Sequence, residues 1–469
     1  MASKCCSKQI MFAGLIFFLY KAGESMLDAT IRPYIIQAVC RDRYRDNVTI
    51  CYDTSMQSQG QQEDIQSAAS NYLIYYRILV NVPAILLGLV WGAWSDHHGR
   101  KLPMMIPSLG SVFAVLLYVA SLRSIDWTLV LIMCGSAVQG IFGKSSVITM
   151  AVNSYVSDIT DQDNRTGSLS RLLAMNYFGL FVGSLLSGTL QEYTDLKTTF
   201  TVVCFLHAFS VLTTVAFIKD TDPDSSKEKT QESSCKVCTP TGLRESFTVQ
   251  MKLSKVNSTR VFTTLVFITL MNQTCKVGDQ DVTVLFVKKY PLEWPTSWYG
   301  YLLSLDYTAM GATLMILTPV LSTYGKVPDT VIVIIGICCK LVRSLWAGFC
   351  YETWMVYSSV LIGALGGMIV SAVRSLVSKN VDDSEIGKAF AVLACAETGS
   401  KVIGSVVFNY VYGATVHVYA GSAYLMEAGI YMFALAIAVC LYRDLKLSGA
   451  YDLLKGNSEE KKGVVEYKD

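Results

Sequence analysis

Charge is what this chain of 469 residues has least of. Asp, Glu, Lys and Arg make up 16% of it, against ~25% in an ordinary soluble domain. Histidine occurs four times. No Gly-x-x-x-x-Gly-Lys-Ser/Thr phosphate loop is present, which disfavours ATP as an energy source. A lone Cys235-x-x-Cys238 lacks the second ligand pair of a zinc site, and no Ser, His and Asp stand at a recognisable catalytic spacing. These absences argue against an enzyme, a metal centre and a cofactor. The 14 cysteines fall mostly in apolar runs, where free thiols act as small hydrophobes, so they do not form a disulfide scaffold. A net charge of +2 exerts no long-range pull on nucleic acid. What the sequence does have is apolar surface: 52% of its residues are hydrophobic and the mean hydropathy is +0.39. That share is about 244 positions, and twelve spans of roughly 20 residues would use about 240. The composition predicts an all-α polytopic membrane protein with the lipid bilayer as its solvent.

Apolar runs recur about every 30 residues. They predict helical spans at 9–38, 71–95, 102–122, 127–157, 166–190 and 197–218, then at 259–288, 297–322, 330–350, 352–378, 386–413 and 420–443. A bilayer interior leaves no other way to satisfy the backbone of such segments. The pattern divides the chain into a first six-helix half (1–218), a polar linker (219–258), a second half (259–443) and a charged tail (444–469) expected to be disordered. Lys4, Lys8, Arg100, Lys101, Arg165 and the linker lysines fall on one side if both termini are cytoplasmic, although Arg41, Arg43 and Arg45 oppose the trend. The first span lacks an Ala-x-Ala cleavage pattern and is expected to act as a signal anchor. Asn47-Val48-Thr49 is a glycosylation sequon in the first outer loop, flanked by Cys40 and Cys51, whose spacing allows a local disulfide.

The loop after the second span reads Gly92-Ala93-Trp94-Ser95-Asp96-His97-His98-Gly99-Arg100-Lys101. It resembles the G-x3-D-x2-G-R-[RK] loop of the major facilitator superfamily, which implies a twelve-helix fold of two six-helix halves. It also implies that Gly92, Asp96, Gly99, Arg100 and Lys101 form a conformational latch. Further segments are similar to the proton-coupled folate transporter family, solute carrier family 46. They are Arg374 to Lys379, Glu385 to Phe390, Ala396-Glu397-Thr398, Phe408 to Tyr412, Tyr155-Val156-Ser157-Asp158 with Arg165-Thr166, and Val284-Leu285-Phe286. The resemblance implies alternating access by a secondary transporter of a small organic anion, folate-like, nucleotide-like or muropeptide-like, with protons as the expected co-substrate. The family's acids in the fourth and fifth helices and its His in the seventh fall here on Lys144, Leu173 and Lys276. The tenth-helix Arg is kept as Arg374, and an outer-loop Cys is replaced by Glu293. These departures count against folate and against a copied proton relay.

A charge at the centre of a bilayer costs ~2.5–3.5 kcal/mol on insertion scales, so it faces a wet cavity or a partner. Lys21, Glu24, Asp28 and Arg32 lie at three- and four-residue steps on one face of the first span. Lys144, Lys276 and Arg374 are the candidate cations for an anionic cargo. Glu24 and Asp28 are the candidate proton carriers, since a buried carboxyl resists ionisation; Asp279, Asp281 and Asp306 are further candidates. The competing reading makes all of these ion pairs that hold the bundle together, with Arg374 an anchor at the cytoplasmic end. Glu397 and Lys401 are expected to pair at i,i+4, Lys340 and Arg343 to pair with Asp306, and Glu427 to be solvated. Tyr20, Tyr155, Tyr177 and Phe178 could stack on a flat ring. Two alternatives remain open: a transport-inactive receptor or scaffold, and a facilitator without ion coupling. Tyr451-Asp452-Leu453-Leu454 resembles a sorting signal, and the sequence leaves plasma membrane and lysosome open.

Overall fold

In a computed structural model, the structure describes residues 2–51, 57–124, 126–160, 162–219, 256–321, 325, 327–380 and 386–465. Their secondary structure is helical throughout. The first half comprises α1 (Ala2–Arg43), α2 (Gln59–His98), α3 (Lys101–Ser121), α4 (Thr128–Ile141), α5 (Lys144–Ile159), α6 (Gln162–Tyr193) and α7 (Leu196–Phe217). The second comprises α8 (Val256–Phe286), α9 (Thr296–Ala312), α10 (Asp329–Gly348), α11 (Thr353–Gly363), α12 (Met368–Asn380), α13 (Ile386–Thr415) and α14 (Ser422–Val465). Nine of the described helical segments are long and apolar enough to cross a membrane by length and composition. The remaining spans, α2, α8 and α13, carry charges at depth, among them Arg77, Lys276, Asp279, Asp281 and Lys401.

Two expected spans are each broken in the middle. The fourth divides into α4 and α5 at Gly143, whose φ of +84° ends α4 in the left-handed region, and Lys144 follows at φ +39°. For a residue with a Cβ that conformation costs roughly 1–2 kcal/mol. The tenth divides into α11 and α12 through a 3-10 turn, Ala364–Gly367. The tail departs from expectation in the other direction, because α14 continues to Val465. The expected linker, apart from its ends, lies outside the described residues, as does Cys235-x-x-Cys238.

Small polar side chains knit the helices together, as packing without a hydrophobic driving force requires. Thr30 meets Ser187 at 3.0 Å, Tyr34 meets Ser121 at 2.9 Å, and Ser108 donates to Ser210 at 3.2 Å. Large apolar groups such as Phe205, Leu212, Met432 and Phe433 point outward, where lipid would cover them.

Candidate functional site

The four charges of α1 share one face, and each has a partner. Lys21 pairs with Glu24 at 2.9 Å and also meets Ser145. Asp28 accepts from Lys144 at 3.2 Å, from Tyr76 at 3.1 Å and from Arg32 at 3.3 Å. Arg32, 1% exposed, then crosses to the second half. It donates to Tyr299 on α9 at 2.8 Å, and its Nε lies 3.7 Å from Asp281 on α8. Asp281 is gripped by Arg77 of α2 through bonds of 2.6 and 3.0 Å, and accepts from Ser405 at 2.7 Å and Asn409 at 3.4 Å, both on α13. A continuous chain of charge, Lys144–Asp28–Arg32–Asp281–Arg77, therefore joins the two halves at membrane depth. It contains three cations and two carboxylates.

The expected cargo cations fare differently. Lys144 is paired with Asp28 and held in a strained left-handed backbone. Arg374 is half-exposed and pairs with Glu397 at 3.0 Å. Neither is a bare cation here: each lies within ion-pair distance of a carboxylate on another helix. Lys276 is half-buried, and among the described residues it makes no ion pair. Glu397 thus bonds Arg374 rather than Lys401, and Arg343 bonds Asp279 at 2.7 Å rather than Asp306. Helix-to-helix geometry prevails over the i,i+4 spacing. Glu427 is wholly buried rather than solvated, because α14 turns it inward onto α10 and α8. Tyr20 and Tyr155 are also fully buried, while Phe178 is exposed.

Arg77 was not singled out from sequence, nor were the acceptors Tyr299, Ser405 and Asn409. A lone Arg inside the second span was the available signal for it. The hydroxyls and the amide gave none.

At the end bearing the disulfide, Cys40 and Cys51 are bonded with Cα atoms 5.7 Å apart. Here α2 meets the second half repeatedly. Gln62 donates to Glu293 at 2.9 Å, Tyr412 to Gln66 at 2.6 Å, and Lys289 to Glu63 at 3.1 Å; His417 lies 2.9 Å from the same carboxylate. The hydrogen bond with His417, and then that from Lys289, hold the Glu63 carboxyl below its ordinary range. A cavity of about 320 Å³ at this end is lined by Gln37, Gln57, Gln62, Gln66 and Lys288 among others. Burial lowers Lys288 to about 8. At the opposite end, Arg100 bonds Asp158 at 3.0 Å and Ser95 at 2.6 Å, Lys101 bonds the Val215 carbonyl, and Lys379 bonds Asp329 at 2.6 Å. Each of these bonds stays within one half. Gly99 takes a φ of +96°, which favours glycine. The side chains of Asp96 and Asn47, and the surroundings of Gly92, lie outside the described residues.

Comparison with known proteins agrees with this architecture. The model of the Major Facilitator Superfamily matches residues 15–405. The chicken (Gallus gallus) lysosomal proton-coupled steroid conjugate and bile acid symporter SLC46A3 is 24% identical over 446 residues, covering 92% of this chain and 93% of the relative. The Drosophila melanogaster protein named "Probable peptidoglycan muropeptide transporter SLC46" is 22% identical, covering 79% of this chain and 73% of its own. Among solved structures, the human organic anion transporter MFSD10 superposes with a TM-score of 0.63 at 13% identity, covering 92% of this chain and 99% of its own. That likeness shows the fold alone. A helical bundle in two halves, bridged by charge at membrane depth and matched along most of its length, is a multi-pass membrane transporter: the chain belongs to the Major Facilitator Superfamily and, within it, to solute carrier family 46.

Proposed function

We propose that the protein is a secondary transporter that carries an organic anion together with a proton by alternating access. The observation that carries this reading is the charge balance of the bridging chain. Among the described residues Lys144, Arg32 and Arg77 form ion pairs only with Asp28 and Asp281, and Glu24, also within reach of Lys144, is paired with Lys21, so four cations meet three carboxylates and one cation is in excess. Lys276 adds a further positive charge from α8. An unbalanced cation at depth is costly unless an anion completes it.

The same geometry links cargo to protons. Asp28 is shared by Lys144, Arg32 and Tyr76. A proton on Asp28 removes the carboxylate that occupies Lys144, and the freed ammonium, with Lys276, can take the carboxylate or sulfate of a cargo. Proton and anion then bind together, which is symport. Glu24 serves Lys21 in the same manner and is the second candidate carrier. Asp279 and Asp281 are held by arginines, as Asp28 is by Arg32, but neither has a lysine partner among the described residues, so we rank them after Asp28 as candidates. Asp306 has no ion pair among the described residues and remains a secondary candidate. The relatives' names, a steroid conjugate and bile acid symporter and a muropeptide transporter, suit a bulky anion rather than an inorganic one.

For sidedness we place both termini in the cytoplasm and the disulfide end in the lumen or outside, with halves at 1–218 and 259–443, linker 219–258 and tail 444–469. We read the contacts of α2 with the second half at the disulfide end as closure of that end, which corresponds to an inward-facing state. A lysosomal membrane agrees with the name of the chicken relative; the plasma membrane is the other location the sequence allows.

The test is uptake of a radiolabelled bile acid or muropeptide into proteoliposomes with an acidic exterior. Saturable accumulation that collapses with the pH gradient supports the reading. Flux indifferent to the gradient makes the protein a facilitator, and binding without flux makes it a receptor.

A further inference from the structure

The second half contains another set of buried charges, away from the bridging chain. Glu427 on α14 is completely buried, and among the described residues neither carboxylate oxygen has a hydrogen-bond partner. The helices packed against α14 surround it with Asp279 from α8 and with Lys340 and Arg343 from α10. Asp306 on α9 lies within electrostatic reach of both cations. Cys275 on α8 and Tyr424 and Tyr431 on α14 are its other titratable neighbours. On α13, Glu397 is engaged elsewhere, with Arg374.

Two features fix the cations in place. A methyl group at Gly366 would stand 2.3 Å from Cε of Lys340, and one at Gly363 would stand 2.2 Å from Cδ of Arg343. The break between α11 and α12 therefore provides the space into which both basic side chains fit. Arg343 is committed to Asp279 through contacts of 2.7 and 3.0 Å. Among the described residues Lys340 is then the remaining cation that the two acids, Glu427 and Asp306, share. Three carboxyls against two bases leave the cluster one negative charge in excess, and excess charge at this depth is costly. One proton restores the balance. Asp279 is ion-paired and Asp306 is only half-buried, whereas Glu427 accepts no hydrogen bond among the described residues: Ser344 stands beside it but donates to the Lys340 carbonyl at 2.8 Å.

A hydrogen-bonded route leads toward the group from the disulfide end. Tyr424, one helical turn from Glu427, shares a hydrogen bond of 2.9 Å with Thr283, which donates to Asp279 at 3.3 Å. Thr283, Tyr424 and Arg343 also line a small cavity that reaches Cys350.

We infer that Glu427 is a proton-binding site within the second half, separate from Asp28 and Glu24 of the bridging chain. Its use in transport rests on the proton-coupled reading above; its binding of a proton does not. The two are therefore tested apart.

Infrared spectra of the purified full-length protein in phosphatidylcholine vesicles, taken from about pH 9 to about pH 5, read carboxyl protonation directly. The wild type is expected to show a protonated-carboxyl stretch from a buried, solvent-shielded group, absent in Glu427→Gln. Lys340→Met is expected to move the midpoint of that band to higher pH, because the carboxylate loses its facing cation. This second variant keeps the test decisive if Glu427→Gln fails to fold. A band that survives intact in a folded Glu427→Gln, or a midpoint unmoved in Lys340→Met, overturns the assignment. Uptake of a radiolabelled bile acid then tests the other reading: wild-type flux indifferent to a pH gradient overturns proton coupling while leaving the infrared result standing.

Discussion

The molecule holds two buried charge clusters whose imbalances are opposite in sign. The bridging chain, Lys144–Asp28–Arg32–Asp281–Arg77, has one cation in excess and spans both halves. The cluster of Asp279, Asp306, Glu427, Lys340 and Arg343 has one carboxyl in excess and lies inside the second half. Each asymmetry selects what can complete it: an anion at the centre, a proton at the flank. The bridging chain must also break for the halves to rock, whereas the flanking cluster can travel intact with its own half.

The strongest challenge to this contrast is Asp281→Asn. It leaves Arg77 and Arg32 facing each other without their shared carboxylate, and breaking such a buried pair costs about 3–5 kcal/mol. A large fall in the melting temperature of the purified protein is expected, and an unchanged melt would show that the bridge is not a structural tie. Asp28→Asn should instead uncouple. Lys144 is then permanently free, so bile-acid uptake is expected to lose its dependence on external pH while the protein still reaches the membrane. Retained pH dependence would move the proton carrier to Glu24 or elsewhere. Lys276→Ala should weaken uptake by about 10-fold, the worth of one charge-assisted hydrogen bond at ~1.5 kcal/mol, with unaltered surface expression. Equal loss of expression and uptake would make Lys276 structural.

The smallest effect is expected at the disulfide end. Glu63→Gln removes the charge from the bonds to Lys289 and His417; the His417 side chain is half-exposed, and a pair open to solvent is worth under about 1 kcal/mol. Because those bonds lower the Glu63 carboxyl, their contribution to the closed end is complete above the ordinary glutamate value. It is lost as pH falls through the lowered one. Accessibility of the Gln37–Gln66 cavity to a thiol reagent, read on a cysteine introduced at Gln37, should therefore rise in strong acid in the wild type. It should depend less on pH in Glu63→Gln.

Much of the fold was legible in the apolar runs, because a bilayer allows one solution to each of them and the loop motif between the second and third spans is specific. The breaks in the fourth and tenth spans were not, since Gly143 and the glycines at 363, 366 and 367 read as ordinary small residues in apolar segments. The site was legible in part. Periodicity placed Lys21, Glu24, Asp28 and Arg32 on one face of α1, yet it could not identify Arg77 and Asp281 as partners 204 residues apart. Glu427 was misjudged for a related reason: its position near the start of a span says how deep it sits but not which way it faces.

Sequence alone determined that the chain crosses a membrane many times, to which superfamily it belongs, and which charged residues lie at depth. The crossings and the depth of the charges follow from composition and period, and the superfamily from the resemblance carried by the loop after the second span. Tertiary structure alone decided which charge meets which, because ion pairing depends on distances between helices. The same cations read as bare in one dimension are mostly paired in three, and the residual charge that a ligand could answer emerges only once the pairs are counted.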